Sequence, residues 1–183
     1  MPDNKKMVEI RHFKMSFGDK TVIKDLSFDV FRGEVFGFLG SNGSGKTTTL
    51  RALLGLYQPT AGDLLINGKP YSVESQIRLG YLPEERGLYK KEKVLDVMLY
   101  FGQLKGLSRK EAKDFSMKFL ERVNLADKAN TQLDKLSGGQ QQKIQLGVTI
   151  MGNPELLIMD EPAKGFDPVN RRLLMNIIEE QRK

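Results

Sequence analysis

From Met7 to Val30 apolar and polar residues follow a strand-like pattern. Leu26, Phe28 and Val30 interleave with Asp25, Ser27 and Asp29, and Gly18-Asp19 separates this run from an earlier one that begins at Met7. A period of two marks strands with one face turned to a core, so the spacing predicts two strands joined by a turn at 18–19. After Gly33 the pattern becomes a nearly continuous apolar run, Val35-Phe36-Gly37-Phe38-Leu39. That run predicts a strand buried on both faces. A glycine-rich turn follows, then a helical stretch from Lys46 through Leu56 that Pro59 and Gly62 bring to a stop. Leu64-Leu65-Ile66 before Asn67-Gly68 predicts a short hairpin, and Leu79 to Leu82 a further short strand closed by Pro83.

From Glu84 to Lys135 the alternation disappears. Val94, Leu95, Met98, Leu99 and Phe101 recur at helical spacing, and after Gly106 a second helix is expected through Val123. Ser108 caps that helix, and Glu111 at its third position completes a capping box. The strand pattern returns at Leu156-Leu157-Ile158-Met159, and a last helix runs from Pro168 to the end. Strand, turn, helix and strand in this order predict an α/β fold with a mainly parallel sheet and an antiparallel β subdomain at the N-terminus. The expected organisation is a core of residues 1–83 and 136–183 that carries a helical insertion at 84–135.

Composition narrows the chemistry. With 183 residues, 39% hydrophobic and 28% charged, the chain can bury a core and is not a disordered tract. Zero cysteines exclude disulfides, a thiol nucleophile and any cysteine-ligated metal site. No apolar run reaches the roughly 18 residues that span a bilayer. The greasiest stretch, Ile144 to Met159, is interrupted by Gln145, Gly152, Asn153, Pro154 and Glu155. The opening MPDNKKMVEI lacks the apolar segment of a secretory signal. The net charge of +6 suits phosphate-bearing partners or an anionic membrane face, although the lysines are scattered.

The strongest local motif is Gly40-Ser41-Asn42-Gly43-Ser44-Gly45-Lys46-Thr47, a G-x-x-x-x-G-K-T string between an expected strand and an expected helix. Its glycines let backbone N–H groups approach phosphate oxygens, and the helix N-terminus adds positive potential. Lys46 can reach the β- and γ-phosphates, and the Thr47 hydroxyl can ligate Mg²⁺. The loop therefore reads as a nucleoside triphosphate site made of Gly40, Ser41, Asn42, Gly43, Ser44, Gly45, Lys46, Thr47 and Thr48. The guanine-reading N-K-x-D of GTPases is absent from the sequence. A second motif is the apolar strand 156–159 ending in Asp160-Glu161. A carboxylate there can hold Mg²⁺, directly or through water, and Glu161 suits the polarisation of an attacking water. A third is Leu136-Ser137-Gly138-Gly139-Gln140 at the start of an expected helix. Ser137 can cap that helix, and the glycines leave bare N–H groups at its positive end.

Together these three motifs identify the chain as resembling the ABC ATPase family over essentially its whole length. The resemblance implies an ATP- and Mg²⁺-dependent hydrolase that pairs head to tail with a second ATPase subunit, as a homo- or heterodimer. Each LSGGQ corner then completes the other subunit's nucleotide site through Ser137, Gly139 and Gln140. It implies catalysis by Glu161 and Lys46, and metal ligation by Thr47 and Asp160. Phe17, in Met15-Ser16-Phe17-Gly18, takes the adenine-stacking place, and Asp167 matches the loop that touches the partner subunit. Glu84 stands where the family usually has a Gln that contacts Mg²⁺ and the lytic water, so it is assigned to both the catalytic and the metal set. Lys164 stands where the family often has a small polar residue.

The runs Gly80 to Tyr89 and Asp167-Pro168-Val169-Asn170 look most like bacterial export-type ATPases of the sodium-efflux kind. That likeness implies a separate transmembrane permease, with Tyr89, Tyr100 and Phe101 as candidate contacts, and a place on the cytoplasmic face of the membrane. The family also has a further strand bearing a γ-phosphate-contacting His, whereas the single His here is His12. The chain is thus expected to be C-terminally truncated and weak in hydrolysis. The alternative is a nucleic-acid- or ribosome-associated ABC ATPase. Against it stand the absence of zinc cysteines, the short spacing from Lys46 to Ser137 and the presence of one ATPase module. No nucleic-acid partner is expected.

Overall fold

In the computed structural model, which describes residues 5–72, 77–85 and 87–182, the first half of the chain is built on an antiparallel sheet. Strands β1 (Lys6–Phe17) and β2 (Lys20–Phe31) turn at Gly18-Asp19, and β3 (Ala61–Ile66) adds to the free side of β1. Met7, Val8, Ile10, Phe13 and Met15 of β1 are buried, with Ile23, Leu64 and Ile66 from its neighbours. The register slips between Ile10 and Phe13, where His12 has φ of 47°; this is a β-bulge. His12 is exposed on this bulge, its ring 3.4 Å from Asp25. Gly62 lies against the same bulge, and a Cβ there would come 2.3 Å from the His12 carbonyl oxygen. At the end of β3, Asn67 and Gly68 both have positive φ, and Ile66 bridges to Lys69. That is the two-residue hairpin turn which Asn-Gly favours.

Helix α1 (Lys46–Leu53) follows the glycine loop. It ends three residues earlier than Leu56 because Gly55 adopts φ of 71°. The Gly55 and Leu56 N–H groups then bond to Ala52 and Arg51, the Schellman closure of a helix end.

The apolar run 35–39 departs from expectation. It forms no strand, and Val35, Phe36 and Leu39 are exposed, Leu39 to 91%. An apolar run becomes a strand only when a neighbouring backbone accepts its ladder, and none does so among the described residues. Stacking substitutes for pairing: Phe36 and Phe38 lie 4.9 and 5.5 Å from Phe28 of β2. Among the described residues the expected mainly parallel sheet is present as a two-stranded ladder, β4 (Leu79–Leu82) beside β5 (Leu156–Met159).

The described residues form two compact units, 5–72 with Arg182, and 77–181 apart from Arg86. Arg86, within the Gly80 to Tyr89 run, lies outside the described residues. The second unit holds helices α2 (Val94–Leu104), α3 (Arg109–Arg122), α4 (Gly138–Ile150) and α5 (Pro168–Gln181). Val97, Met98, Leu120, Ile144, Leu146 and Ile177 join all four in one buried cluster. The Ser108–Glu111 capping box of α3 is formed on both sides. At its other end Asn124 takes φ of 56° in a Schellman closure onto Leu120 and Glu121. Arg122 ties α3 to α5 through two 2.7 Å bonds to Glu180.

Lys105, just past the end of α2, donates to the carbonyls of Val148, Thr149 and Met151 at 2.7, 2.8 and 3.1 Å. Its stem is exposed while its ammonium is enclosed by the negative end of α4. Burial pushes the ammonium down from 10.5 to about 8. Lys105→Met should cost about 1–2 kcal/mol in chemical denaturation at neutral pH, because three helix-end acceptors lose their donor. The folded-state pKa lies below the unfolded one, so the unfolded chain binds more protons between them. The Lys105 contribution to stability therefore rises with pH, and the gap between parent and variant should widen between about pH 8 and pH 10.

Candidate functional site

The phosphate-loop residues stand together in the first unit. Ser41 to Ser44 are exposed, and Gly45 is buried against β2 as the left-handed residue before α1, with φ of 91°. A Cβ at Gly45 would come 2.9 Å from Ile23, and one at Gly40 would come 2.6 Å from the Ser44 hydroxyl. At Gly45 the left-handed backbone and the Ile23 side chain together require glycine, whereas at Gly40 the Ser44 hydroxyl would have to turn aside. Lys46 folds back so that its ammonium donates to the Gly40 and Ser41 carbonyls at 2.8 and 3.2 Å. Thr49, buried behind the loop, bonds through both its N–H and its hydroxyl to the Gly45 carbonyl. Thr47 and Thr48 are half-buried in the first turn of α1. The result is a run of exposed backbone at a helix N-terminus, with the Ser44 N–H turned to the Ser41 carbonyl at 3.2 Å and a lysine lying across it, which is an anion cradle. Phe17, at the end of β1, is 46% exposed and meets Tyr57 edge to face at 5.4 Å.

The second unit brings Asp160, Glu161, Glu84 and Lys164 to one sheet edge. Strands β4 and β5 run parallel with Leu82 opposite Met159, and the Asp160 N–H donates to the Leu82 carbonyl at 2.8 Å. Asp160 is 3% exposed, and its Oδ2 has no hydrogen-bond partner among the described residues. A bare buried carboxylate oxygen needs a cation or a water to complete it, so Asp160 fits the metal role. Glu161 is exposed, and its φ of 50° is left-handed. A strained backbone at an acidic side chain is what a site that must aim that carboxylate would carry. Glu84 is not presented as a bare metal ligand, since its Oε1 accepts from the Lys164 ammonium at 2.6 Å.

Ser137 and Gln140 form a complete capping box at the start of α4. The Gln140 N–H donates to the Ser137 hydroxyl at 3.3 Å, and the Ser137 N–H donates to the Gln140 side chain at 2.9 Å. Gln140 thus contributes to shaping the corner, a role that the Ser-x-x-Gln spacing could have disclosed. Asp167 caps α5, accepting from the N–H and the side chain of Asn170 at 2.8 and 2.9 Å. One residue escaped the sequence reading. Gln145, buried in α4, donates to the carbonyls of Glu85 at 3.1 Å and Pro83 at 3.4 Å, and so anchors the backbone on both sides of Glu84. The available signal was a polar residue between Ile144 and Leu146 on a buried helix.

Residues 23–164 match the profile of the ABC transporter family. An uncharacterized ABC transporter ATP-binding protein of Methanocaldococcus jannaschii is 42% identical over 174 residues, covering 95% of this chain and 63% of that one. Another from Bacillus subtilis is 44% identical over 94% of this chain and 58% of its own length. The Nod factor export ATP-binding protein I of a Rhizobium strain is 37% identical over 93% of this chain and 57% of its own. The chain therefore spans about 60% of the length of these relatives. A solved structure described as the ATP binding subunit of an ABC transporter superposes with a TM-score of 0.84 at 28% identity, over 96% of this chain and 75% of that one. The antiparallel N-terminal sheet, the glycine loop and the parallel ladder with its helices are accordingly those of a P-loop NTPase, and the chain belongs to the ABC transporter family.

Proposed function

We propose that this chain binds and hydrolyses Mg-ATP as the ATP-binding subunit of an ABC transporter. The observation that carries the reading is the loop 40–47, whose exposed backbone run closes on the N-terminus of α1 under Lys46. In this reading the loop amides and Lys46 take the phosphates and stabilise charge that develops on the γ-phosphoryl group. Phe17 stacks on the adenine. Thr47 and Asp160 hold Mg²⁺, which when bound neutralises phosphate charge. Glu161 orients and polarises the attacking water, accepting its proton. Ser137 and Gly139, with Gln140 shaping their corner, act on the nucleotide of a second ATPase subunit set head to tail.

In this reading coupling to transport runs through a separate permease; among the described residues no helix is long and apolar enough to cross a membrane. We take residues 84–135 as the helical subdomain that meets it at the cytoplasmic face. Tyr89 and Tyr100, 54% and 46% exposed, pack with Phe101 into an aromatic group suited to that contact. The Nod factor export relatives favour export as the direction. The test is sedimentation with and without Mg-ATP. A dimer that forms only with ATP, and that Ser137→Arg prevents, supports the reading; a monomer under both conditions removes the two-subunit site.

A further inference from the structure

Helix α1 carries the phosphate loop at its start and an arginine in its last turn. That Arg51 guanidinium donates to the Tyr57 hydroxyl at 3.2 Å. The left-handed turn at Gly55 sends the chain back from the helix end, and the segment after Tyr57 is fastened to β1. There the Thr60 N–H donates to the Lys14 carbonyl at 2.9 Å, and the Thr60 hydroxyl accepts from the Ser16 N–H at 2.9 Å. Tyr57 is therefore tethered on both sides. Its half-buried ring meets Phe17 edge to face, with centroids 5.4 Å apart and planes at 83°. All of these residues belong to the first unit.

Phe17 stands at the last position of β1, just before the turn, and it is 46% exposed. A phenyl ring that open can exchange rotamers unless a neighbour fixes it, and a base that stacks on it must then order it. The Ser16–Thr60 bond holds the backbone beside Phe17, which leaves the ring itself to its neighbours. An edge-to-face pair orients both planes, because the positive rim of one ring faces the negative face of the other. Whichever ring presents its edge, the pair takes up at most one of the two faces of Phe17. The contact thus orients the ring and leaves its other face outside the pair.

We infer that Tyr57 is a positioning residue for the base platform: held by Arg51, it fixes the Phe17 ring in the same frame as the phosphate loop, so that a nucleotide binds without first ordering that ring. The inference rests on the Mg-ATP reading above, in which Phe17 stacks on adenine. Tyr57 acts through Phe17 and touches neither base nor phosphate.

The experiment is a double-mutant cycle on the 183-residue chain, read as affinity for ATP and for inorganic tripolyphosphate, both with Mg²⁺. Tyr57→Leu should weaken ATP binding about fivefold and leave tripolyphosphate within about twofold, because only ATP has a base to stack. In the Phe17→Ala background the same change should cost ATP less than about twofold. Tyr57→Phe keeps the ring pair and should restore most of the ATP affinity; a loss as large as that of Tyr57→Leu overturns the inference. An equal loss of both ligands would assign Tyr57 to the phosphate loop or to the fold. An equal ATP loss in both backgrounds would mean that it touches the base itself. Either result, or no loss at all, also overturns it. A second arm uses no nucleotide. Three-bond couplings across the Phe17 Cα–Cβ bond, measured by NMR on isotope-labelled protein, should be those of one rotamer in the parent and averaged in Tyr57→Leu. Unchanged couplings reject the positioning role. Phe17→Ala and Lys46→Ala separate the two readings. If neither lowers ATP affinity, the nucleotide assignment falls and the couplings alone decide whether Tyr57 orders the ring.

Discussion

Lys46→Ala is expected to lower the affinity for Mg-ATP by roughly 100-fold, about 2.7 kcal/mol, in a calorimetric or fluorescence titration. The ammonium lies across the loop and already donates to the Gly40 and Ser41 carbonyls. It therefore holds the loop in a receptive shape and supplies charge to the phosphates. Removing it takes away charge-assisted bonds to an anion, the strongest class of hydrogen bond available there. The fold should remain, because Gly45 and Thr49 close the helix start without Lys46. Thermal unfolding of the variant separates the two effects. Affinity equal to the parent would remove the nucleotide assignment.

Glu161→Gln should leave Mg-ATP affinity within about threefold of the parent while lowering single-turnover hydrolysis by roughly 100-fold or more. The amide has the size of the carboxylate but accepts no proton from water. Backbone strain does not confound the comparison, since φ of 50° costs Gln and Glu alike, on the order of 1 kcal/mol. Hydrolysis at the parental rate would exclude Glu161 as the base. A matching loss of binding would reassign it to the nucleotide itself.

Much of this chain could be read locally. The Ser108–Glu111 box, the Asn67-Gly68 turn and the serine cap at 137 are decided by residues three or four positions apart, and all formed where the spacing placed them. The run 35–39 shows the limit of such reading. Its composition favours a strand, but a strand is a property of two backbones, and the run stacks on Phe28 with no ladder of its own. Lys164 and Glu84 show another. Each was legible as an unusual residue, and neither announced the other across 80 positions, since only the pairing of β4 with β5 brings them to one edge. Gln145 was hidden for a related reason: the carbonyls it serves belong to a distant loop.

The reciprocal bonds between Ser137 and Gln140 have a kinetic consequence. The Ser137 oxygen accepts from within its own helix, which leaves the hydroxyl proton as the group available to an incoming anion. The corner is thus rigid and correctly polarised before any second subunit arrives, and docking demands no local ordering. In the two-subunit arrangement proposed above, the rate of encounter should then follow solvent viscosity and ionic strength, as encounters between preformed surfaces do, and not the slower clock of a segment that folds as it binds.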